Sequence, residues 1–169
     1  MAAIPVRRLN HAVLFVSDVE RSARFWTSAF DMEIAAEIDQ ANAIFLRLRG
    51  QSNHHDLGLF GLGPDVRRAA GREIGLYHLA WQVDTIDELA AAKETLANLG
   101  ALVGESSHGA TKSLYGHDPD GNEFEVMWMV PRDDWGEYEH EAIVEPLDLA
   151  GDTARWSGIS TADQTTVVP

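Results

Sequence analysis

The sequence predicts an α+β chain in which a βαβββ module is written twice, and three observations carry that expectation. A strand-like phrase occurs in two copies, Leu9-Asn10-His11-Ala12-Val13-Leu14-Phe15-Val16-Ser17-Asp18 and Leu76-Tyr77-His78-Leu79-Ala80-Trp81-Gln82-Val83-Asp84-Thr85, 67 residues apart. Each copy runs into a capping-box pattern, Ser17-Asp18-Val19-Glu20 and Thr85-Ile86-Asp87-Glu88, which opens a helix. Late in the second half, Asp118-Pro119-Asp120-Gly121-Asn122 places Pro where a turn needs a fixed φ and Gly where positive φ is cheap, so it closes a hairpin.

The elements follow in order. Residues 9–17 alternate and are rich in Val, Leu and Phe, which reads as a strand, and the helix after it runs to Phe30 with Val19, Ala23, Trp26 and Phe30 near helical spacing. Strands are expected at Glu33 to Asp39, Ala43 to Arg49 and His55 to Phe60, and Gly61-Leu62-Gly63-Pro64 ends this half. The second half places a strand at Leu76 to Val83 and an alanine-rich helix stopped by Gly100, then strands at Ala101 to Glu105, Lys112 to Gly116 and Glu123 to Val130. The organisation is therefore a first module over 1–63, a connector over 64–75, a second module over 76–130 and an arm over 131–169. The arm is acidic with Trp135 and Tyr138, and is expected to order partly against the domain or a second subunit. Its polar end, Ser160 to Pro169, is expected to be disordered.

Composition narrows the partners. The 45% hydrophobic content over 169 residues is ample for burial in one domain or two small modules. A formal charge of −14 argues against nucleic acid or an anionic membrane as partner and for a small, uncharged ligand. No cysteine is present, which removes disulfides and thiolate metal sites and is compatible with a reducing interior. With no signal-peptide core and no apolar run of spanning length, the chain reads as soluble and cytoplasmic.

The chemistry begins with the repeated histidine. Alternation puts His11, Val13 and Phe15 on one strand face and Ala12, Leu14 and Val16 on the other; His78, Ala80 and Gln82 likewise oppose Leu79, Trp81 and Val83. The apolar sets face the helices, which leaves both histidines on the opposite face. Glu125 in the last strand opposes Phe124 and Val126 in the same way. A lone strand histidine is ordinarily a surface or satisfied core residue, but repetition at matched places favours a ligand role. Two histidines and one acid suit a metal that keeps positions open for substrate.

These residues resemble the vicinal oxygen chelate superfamily, which includes glyoxalase I, fosfomycin-resistance proteins, bleomycin-binding proteins and type I extradiol dioxygenases. The resemblance covers about residues 7 to 130 and rests on the two His-x-x-x-x-Val strands and on Asp118-Pro119-Asp120-Gly121-Asn122-Glu123-Phe124-Glu125. It implies paired modules forming a curved, barrel-like mixed sheet with helices on the convex side, a homodimer, and a metal on the concave face held by His11, His78 and Glu125. The His54-His55-x-Leu-x pattern is similar to extradiol dioxygenases, whose second histidine of the pair is the active-site base, here His55. The stretch Ser107-His108-Gly109 through Ser113-Leu114-Tyr115 is similar to small catechol 2,3-dioxygenase-like proteins. By that resemblance His108 lies near the bound oxygen and Tyr115 hydrogen-bonds a substrate oxygen.

The resemblance thus implies an extradiol dioxygenase that inserts O2 into a catechol-type aromatic ring beside the diol. Fe(II) is the expected cofactor, with Mn(II), Zn(II), Ni(II) and Co(II) as other ions for the same donors. The competing expectations are a glyoxalase-type isomerase or lyase, for which Asp56 would supply a fourth ligand, and a drug-binding resistance protein without turnover. His54 competes with His55 for the base position, since neighbours on a strand face opposite ways. His117 is a further histidine close to Tyr115, either entering the site or lying at a solvent-exposed turn, and His140 is expected on the surface.

Overall fold

The computed structural model describes residues 3–66 and 74–165. The chain divides into two compact units, Met1–Gly71 and Arg72–Pro169. Most of the connector expected over 64–75, and the end of the arm at 166–169, lie outside the described residues.

The first unit runs β1 (Ala12–Val16), α1 (Val19–Phe30), β2 (Met32–Ile38), β3 (Ala43–Leu48) and β4 (Leu57–Gly61). Its strands form one sheet in the order β1-β4-β3-β2, with β1 parallel to β4 and the other pairs antiparallel. The α1 cap differs from expectation. Asp18 is the N-cap, accepting from the Arg21 amide at 2.9 Å, while the Ser17 hydroxyl accepts from the Arg21 guanidinium. Asp caps as well as Ser does, and here it is Asp18 that takes the extended backbone of a cap. Val19, Ala23 and Trp26 then bury one face of α1, against a sheet whose Leu46, Leu57 and Leu59 are wholly buried. Each such aliphatic side chain contributes about 2 kcal/mol by leaving water.

The second unit repeats this order with β5 (Leu79–Gln82), α2 (Ile86–Asn98), β6 (Leu102–Ser107), β7 (Thr111–His117) and β8 (Glu123–Met129). The sheet order is β5-β8-β7-β6, again with the first and last strands parallel. Even the irregularities recur, with a bulge between Ile34 and Ala36 in β2 and another between Leu102 and Gly104 in β6. The predicted capping box is present: Thr85 Oγ1 accepts from the Glu88 amide, and the Glu88 carboxylate accepts from the Thr85 amide. Gly100 ends α2 at φ 65°, with its amide donating to Ala97 O and that of Ala101 to Leu96 O, a Schellman closure. The predicted hairpin turn is built on Asp118, whose carboxylate accepts from the Asp120 and Asn122 amides and from Asn122 Nδ2.

The α+β class and the doubled βαβββ order are as expected, with the eight strands of the described residues divided between two open four-stranded mixed sheets. The strands themselves start later than the alternation suggested. β1 begins after His11, β4 after His55 and β5 after His78, so these histidines stand just ahead of their strands.

The arm is more ordered than its composition suggested. It continues β8 through short 3-10 turns at Arg132–Asp134 and Gly136–Glu139, then forms α3 (Leu149–Trp156), which packs on α2. Trp156 is buried against Trp128 with ring centroids 5.6 Å apart, and its indole N–H donates to Asp134 at 2.7 Å. Buried Lys112 reaches across from β7, donating to Ser107 Oγ at 2.8 Å and standing 3.5 Å from the Asp152 carboxylate on α3. Beyond α3 the chain is tied to the start of α2: Ser157 and Gly158 donate to Asp87, and Ser160, Thr161 and Ala162 donate to Asp84. No helix among the described residues is long and apolar enough to cross a membrane.

The hydroxyl of Ser160 and the amides of Ala162 and Thr161 hold the Asp84 carboxyl below its ordinary value, against the opposing effect of burial. A depressed carboxyl contributes stability that is complete above the unfolded value, 3.8, and is lost as pH falls through the folded one. The terminal segment should therefore stay docked at neutral pH and release in acid below about pH 4. At neutral pH, Asp84→Ala should raise amide exchange at Thr161 and Ala162 by at least about tenfold, the worth of one hydrogen bond to a charged group. Exchange in β7 and β8 should be unchanged.

Candidate active site

The second unit assembles its polar groups by strand register. Parallel pairing sets Ala80 opposite Glu125, and antiparallel pairing sets Tyr115 opposite Glu125. Directly paired residues share a sheet face, and so do residues two apart. Glu123, Glu125, Met127, Ser113, Tyr115 and His117 therefore occupy one face, and His78 continues that face just ahead of β5. Leu114, Val126 and Trp128 occupy the other, which α2 covers.

On the polar face, His78 Nε2 lies 3.1 Å from Glu125 Oε2. Glu125 is only 9% exposed, and among the described residues neither Lys nor Arg pairs with it. Among the described residues His78 Nδ1 is buried without a hydrogen bond, and Glu123 Oε1 lies 3.9 Å from it. A buried carboxylate with no Lys or Arg counterion, beside an imidazole with an unsatisfied nitrogen, is the donor chemistry of a divalent cation site.

A second polar group adjoins these residues. The Tyr115 ring lies 5.8 Å from that of His78, and its hydroxyl is 2.8 Å from His108 Nε2. Ser106 Oγ is also 2.8 Å from Nε2 and 3.4 Å from the phenol oxygen. His108 is not on a strand: it sits in the turn between β6 and β7, its amide donating to Thr111 O. Its Nδ1 is 2.9 Å from the carbonyl of Ile143 in the arm.

The first unit gathers the remaining histidines. The His11 and His55 rings are 4.4 Å apart and His55 is 5.0 Å from Phe45. His11 Nδ1 is 2.9 Å from the Asn10 amide oxygen, which can only accept, so Nδ1 carries a proton in this contact. Of the two neighbours, it is His55 that stands beside His11, while His54 is exposed with its Nδ1 2.9 Å from His55 Nδ1. Burial, then the His11 and His54 imidazoles, hold the His55 pKa below the ordinary histidine value, with Asp56 opposing. His55 is thus neutral near pH 7.

Register also locates the place in this unit that corresponds to Glu125. The pairing Val13 with Gly58 matches the pairing Ala80 with Glu125, and Phe45 pairs with Gly58 as Tyr115 pairs with Glu125. The counterpart of Glu125 is Gly58, where a Cβ would meet Val13 at 3.3 Å and Phe45 at 3.4 Å. Asp56 does not take that place. Its carboxylate accepts from the Leu48 amide at 2.8 Å and from Asn53 Nδ2 at 2.9 Å, and so braces the approach to β4.

The structure brings His78, Glu125, Tyr115 and His108 together in one unit, and His11 with His55 in the other. Within neither unit, among the described residues, do three His, Asp or Glu side chains gather as a metal site. His117 is 3.5 Å from Glu123 on the rim of the polar face, and His140 is exposed. Sequence reasoning missed Ser106, Asn10 and the Ile143 carbonyl. Ser106 was signalled only by adjacency to His108, Asn10 by adjacency to His11, and a backbone carbonyl 35 residues from its partner leaves no signal at all.

Known proteins resemble this chain in sequence and in fold. Over 128 residues, 75% of the chain, the sequence is 26% identical to the catechol-2,3-dioxygenase of Bacillus subtilis (strain 168), of which it covers 43%. Over the same length it is 28% identical to biphenyl-2,3-diol 1,2-dioxygenase 2 of Rhodococcus globerulus, covering 64% of that protein. The chain therefore spans less than two thirds of either relative. A glyoxalase/dioxygenase structure from Nostoc punctiforme shares the fold, with a TM-score of 0.63 at 18% identity over 78% of this chain and 98% of that one. Residues 8–126 match the family model of the Glyoxalase/Bleomycin resistance protein/Dioxygenase superfamily, and with the doubled βαβββ architecture this places the chain in that superfamily.

Proposed function

We propose that the chain is a metal-dependent extradiol dioxygenase that opens a catechol-type ring beside its diol. The observation that carries this reading is the contact of the Tyr115 phenol with His108 Nε2, placed by β7 directly across from Glu125. A hydroxyl and an imidazole beside a carboxylate suit a substrate whose oxygens must be oriented and whose protons must be moved. Gly58 at the counterpart of Glu125 supports three protein ligands rather than the four of glyoxalase I, and so favours ring cleavage over isomerisation. The dioxygenase relatives point the same way.

In this reading His11, His78 and Glu125 hold the metal, with Fe(II) preferred among the divalent ions that imidazole and carboxylate accept. When bound, Fe(II) supplies the electron path that lets a singlet diol react with triplet O2. His55, neutral near pH 7, takes the proton of the second catechol hydroxyl. Tyr115, its own O–H given to His108 Nε2, would accept from a substrate hydroxyl and fix the ring. His108 Nε2 would take the other hydroxyl's proton through the phenol and return it as the O–O bond breaks, and His55 would release its proton to the product; the carbon–carbon bond next to the diol is cleaved, and both oxygen atoms remain in a hydroxymuconic semialdehyde-type product. The working form is a homodimer that takes a small aromatic substrate and O2 in the cytoplasm.

The deciding experiment is anaerobic reconstitution with Fe(II), then catechol or biphenyl-2,3-diol with air. A yellow product with equimolar oxygen uptake is expected, and neither signal with either diol would overturn the assignment. His55→Ala should lower kcat by about 10²–10⁴-fold, the range of a lost general base, with metal content by elemental analysis unchanged. Loss of metal from that variant would place His55 among the ligands instead. Glu125→Gln should weaken metal retention against a chelator by more than the roughly 10–100-fold that losing a supporting residue costs, with far-ultraviolet circular dichroism unchanged.

A further inference from the structure

We infer that the Tyr138–Glu145 segment of the arm is a positioning strap for His108, holding the proton on Nδ1 so that Nε2 accepts from the Tyr115 phenol. The inference deepens the proposed reaction and rests on that reading for its functional meaning.

Three attachments join the strap to the turn that carries His108. The Ile143 carbonyl stands 2.9 Å from His108 Nδ1. On the strand before it, Ser107 and Glu145 exchange two backbone hydrogen bonds, the Ser107 amide donating at 2.8 Å and the Glu145 amide at 3.0 Å. On the residue after it, the Tyr138 ring closes over Gly109, leaving no room for a Cβ, and Gly109 holds φ 75°. The strap is itself anchored to the end of β8, where the Trp135 indole donates to Val130 O at 2.7 Å and the Tyr138 amide to Trp135 O at 2.9 Å.

The tautomer follows from donor and acceptor rules. A carbonyl oxygen only accepts, so Nδ1 must carry a hydrogen to hold this contact. A neutral imidazole has one N–H, so Nε2 then presents its lone pair, and the hydroxyl 2.8 Å away donates to it. Ser106 Oγ stands at the same 2.8 Å from Nε2 and 3.4 Å from the phenol oxygen, so both hydroxyls turn toward the one lone pair that the strap leaves open. Unheld neutral histidine in water prefers the proton on Nε2, and in that form Nε2 would donate to the phenol oxygen instead. The strap thus sets the direction of the hydrogen bond at the proposed site from the face of the ring remote from it.

The test uses the full-length chain labelled with 15N-histidine, without metal or catechol, so that its outcome is independent of turnover. The His108 signals are identified by their loss in His108→Gln. Long-range 15N–1H correlation should show the Nδ1–H tautomer in the parent protein; an Nε2–H pattern there would overturn the inference. The double variant Tyr138→Ala/Glu145→Pro removes the ring over Gly109 and the amide that donates to Ser107, and His108 should shift toward Nε2–H while the sheet signals persist. Retention of the pure Nδ1–H form in a folded variant whose strap amides have lost exchange protection would equally overturn it. If that variant does not fold, Tyr115→Phe decides: Nδ1–H should survive removal of the phenol, and a change to Nε2–H would show that the phenol, not the strap, sets the tautomer. In the iron-loaded enzyme the double variant should lower kcat at least about tenfold with KM for catechol unchanged, part of the range of general acid–base catalysis. An Nδ1–H spectrum with no dioxygenase activity would count against the proposed function and leave the strap standing.

Discussion

Everything proposed for this chain depends on the parallel register between the first and last strands of each module. Side chains alternate across a strand, so a slip of one residue between β5 and β8 would send Glu125 to the helix-covered face and bring Phe124 or Val126 to the polar one. The register is held from both sides. Leu79 pairs with Phe124 and Trp81 with Val126 on the apolar face, where Val126 packs with wholly buried Leu114 and Trp128 under α2. On the hairpin side, Asp118 fixes the turn by accepting three hydrogen bonds, so β8 enters the sheet at a defined residue. Hydrophobic burial and turn chemistry together set the carboxylate's place in the sheet, where His78 Nε2 meets it at 3.1 Å.

The duplication provides two copies of that scaffold, and the chemistry lies where the copies differ. In the second unit the matched places hold His78, Glu125 and Tyr115; in the first they hold His11, Gly58 and Phe45. One half therefore carries a carboxylate and a phenol, and the other an aromatic surface in which Phe45 and Phe60 lie 5.9 Å apart, next to His55. Substituting Gly and Phe for Glu and Tyr converts a charged donor set into a surface suited to a flat apolar ring.

The arm changes what the second unit is. Read as composition it is an acidic tail, yet its Asp134 carboxylate accepts from the Trp156 indole, and its Ile143 carbonyl reaches the ring of His108. The acids of the adjoining α2 N-terminus serve the same end, with Asp84 and Asp87 accepting from the segment beyond α3. Acidic residues that look like a solvated surface act as acceptors for backbone and side-chain donors of the arm, which helps this segment stay docked.

The sequence by itself determined the class, the doubled βαβββ order, the second capping box, the Gly100 stop and the Asp118 turn, because each depends on interactions within a few residues. It also determined which face each strand residue takes, since that follows from alternation, and so it put Glu125 on the face turned away from α2, the face that His78 continues. It missed by a residue or more where β1, β4 and β5 start, because the hydrophobic pattern runs on past the point at which a strand finds its partner. Only the tertiary structure decided that Gly58 rather than Asp56 matches Glu125, that Asp56 braces the backbone, that His55 rather than His54 stands beside His11, and that Ile143 holds His108. Those facts are contacts between segments far apart in the chain, several made by backbone atoms, and a backbone carbonyl looks the same in every residue.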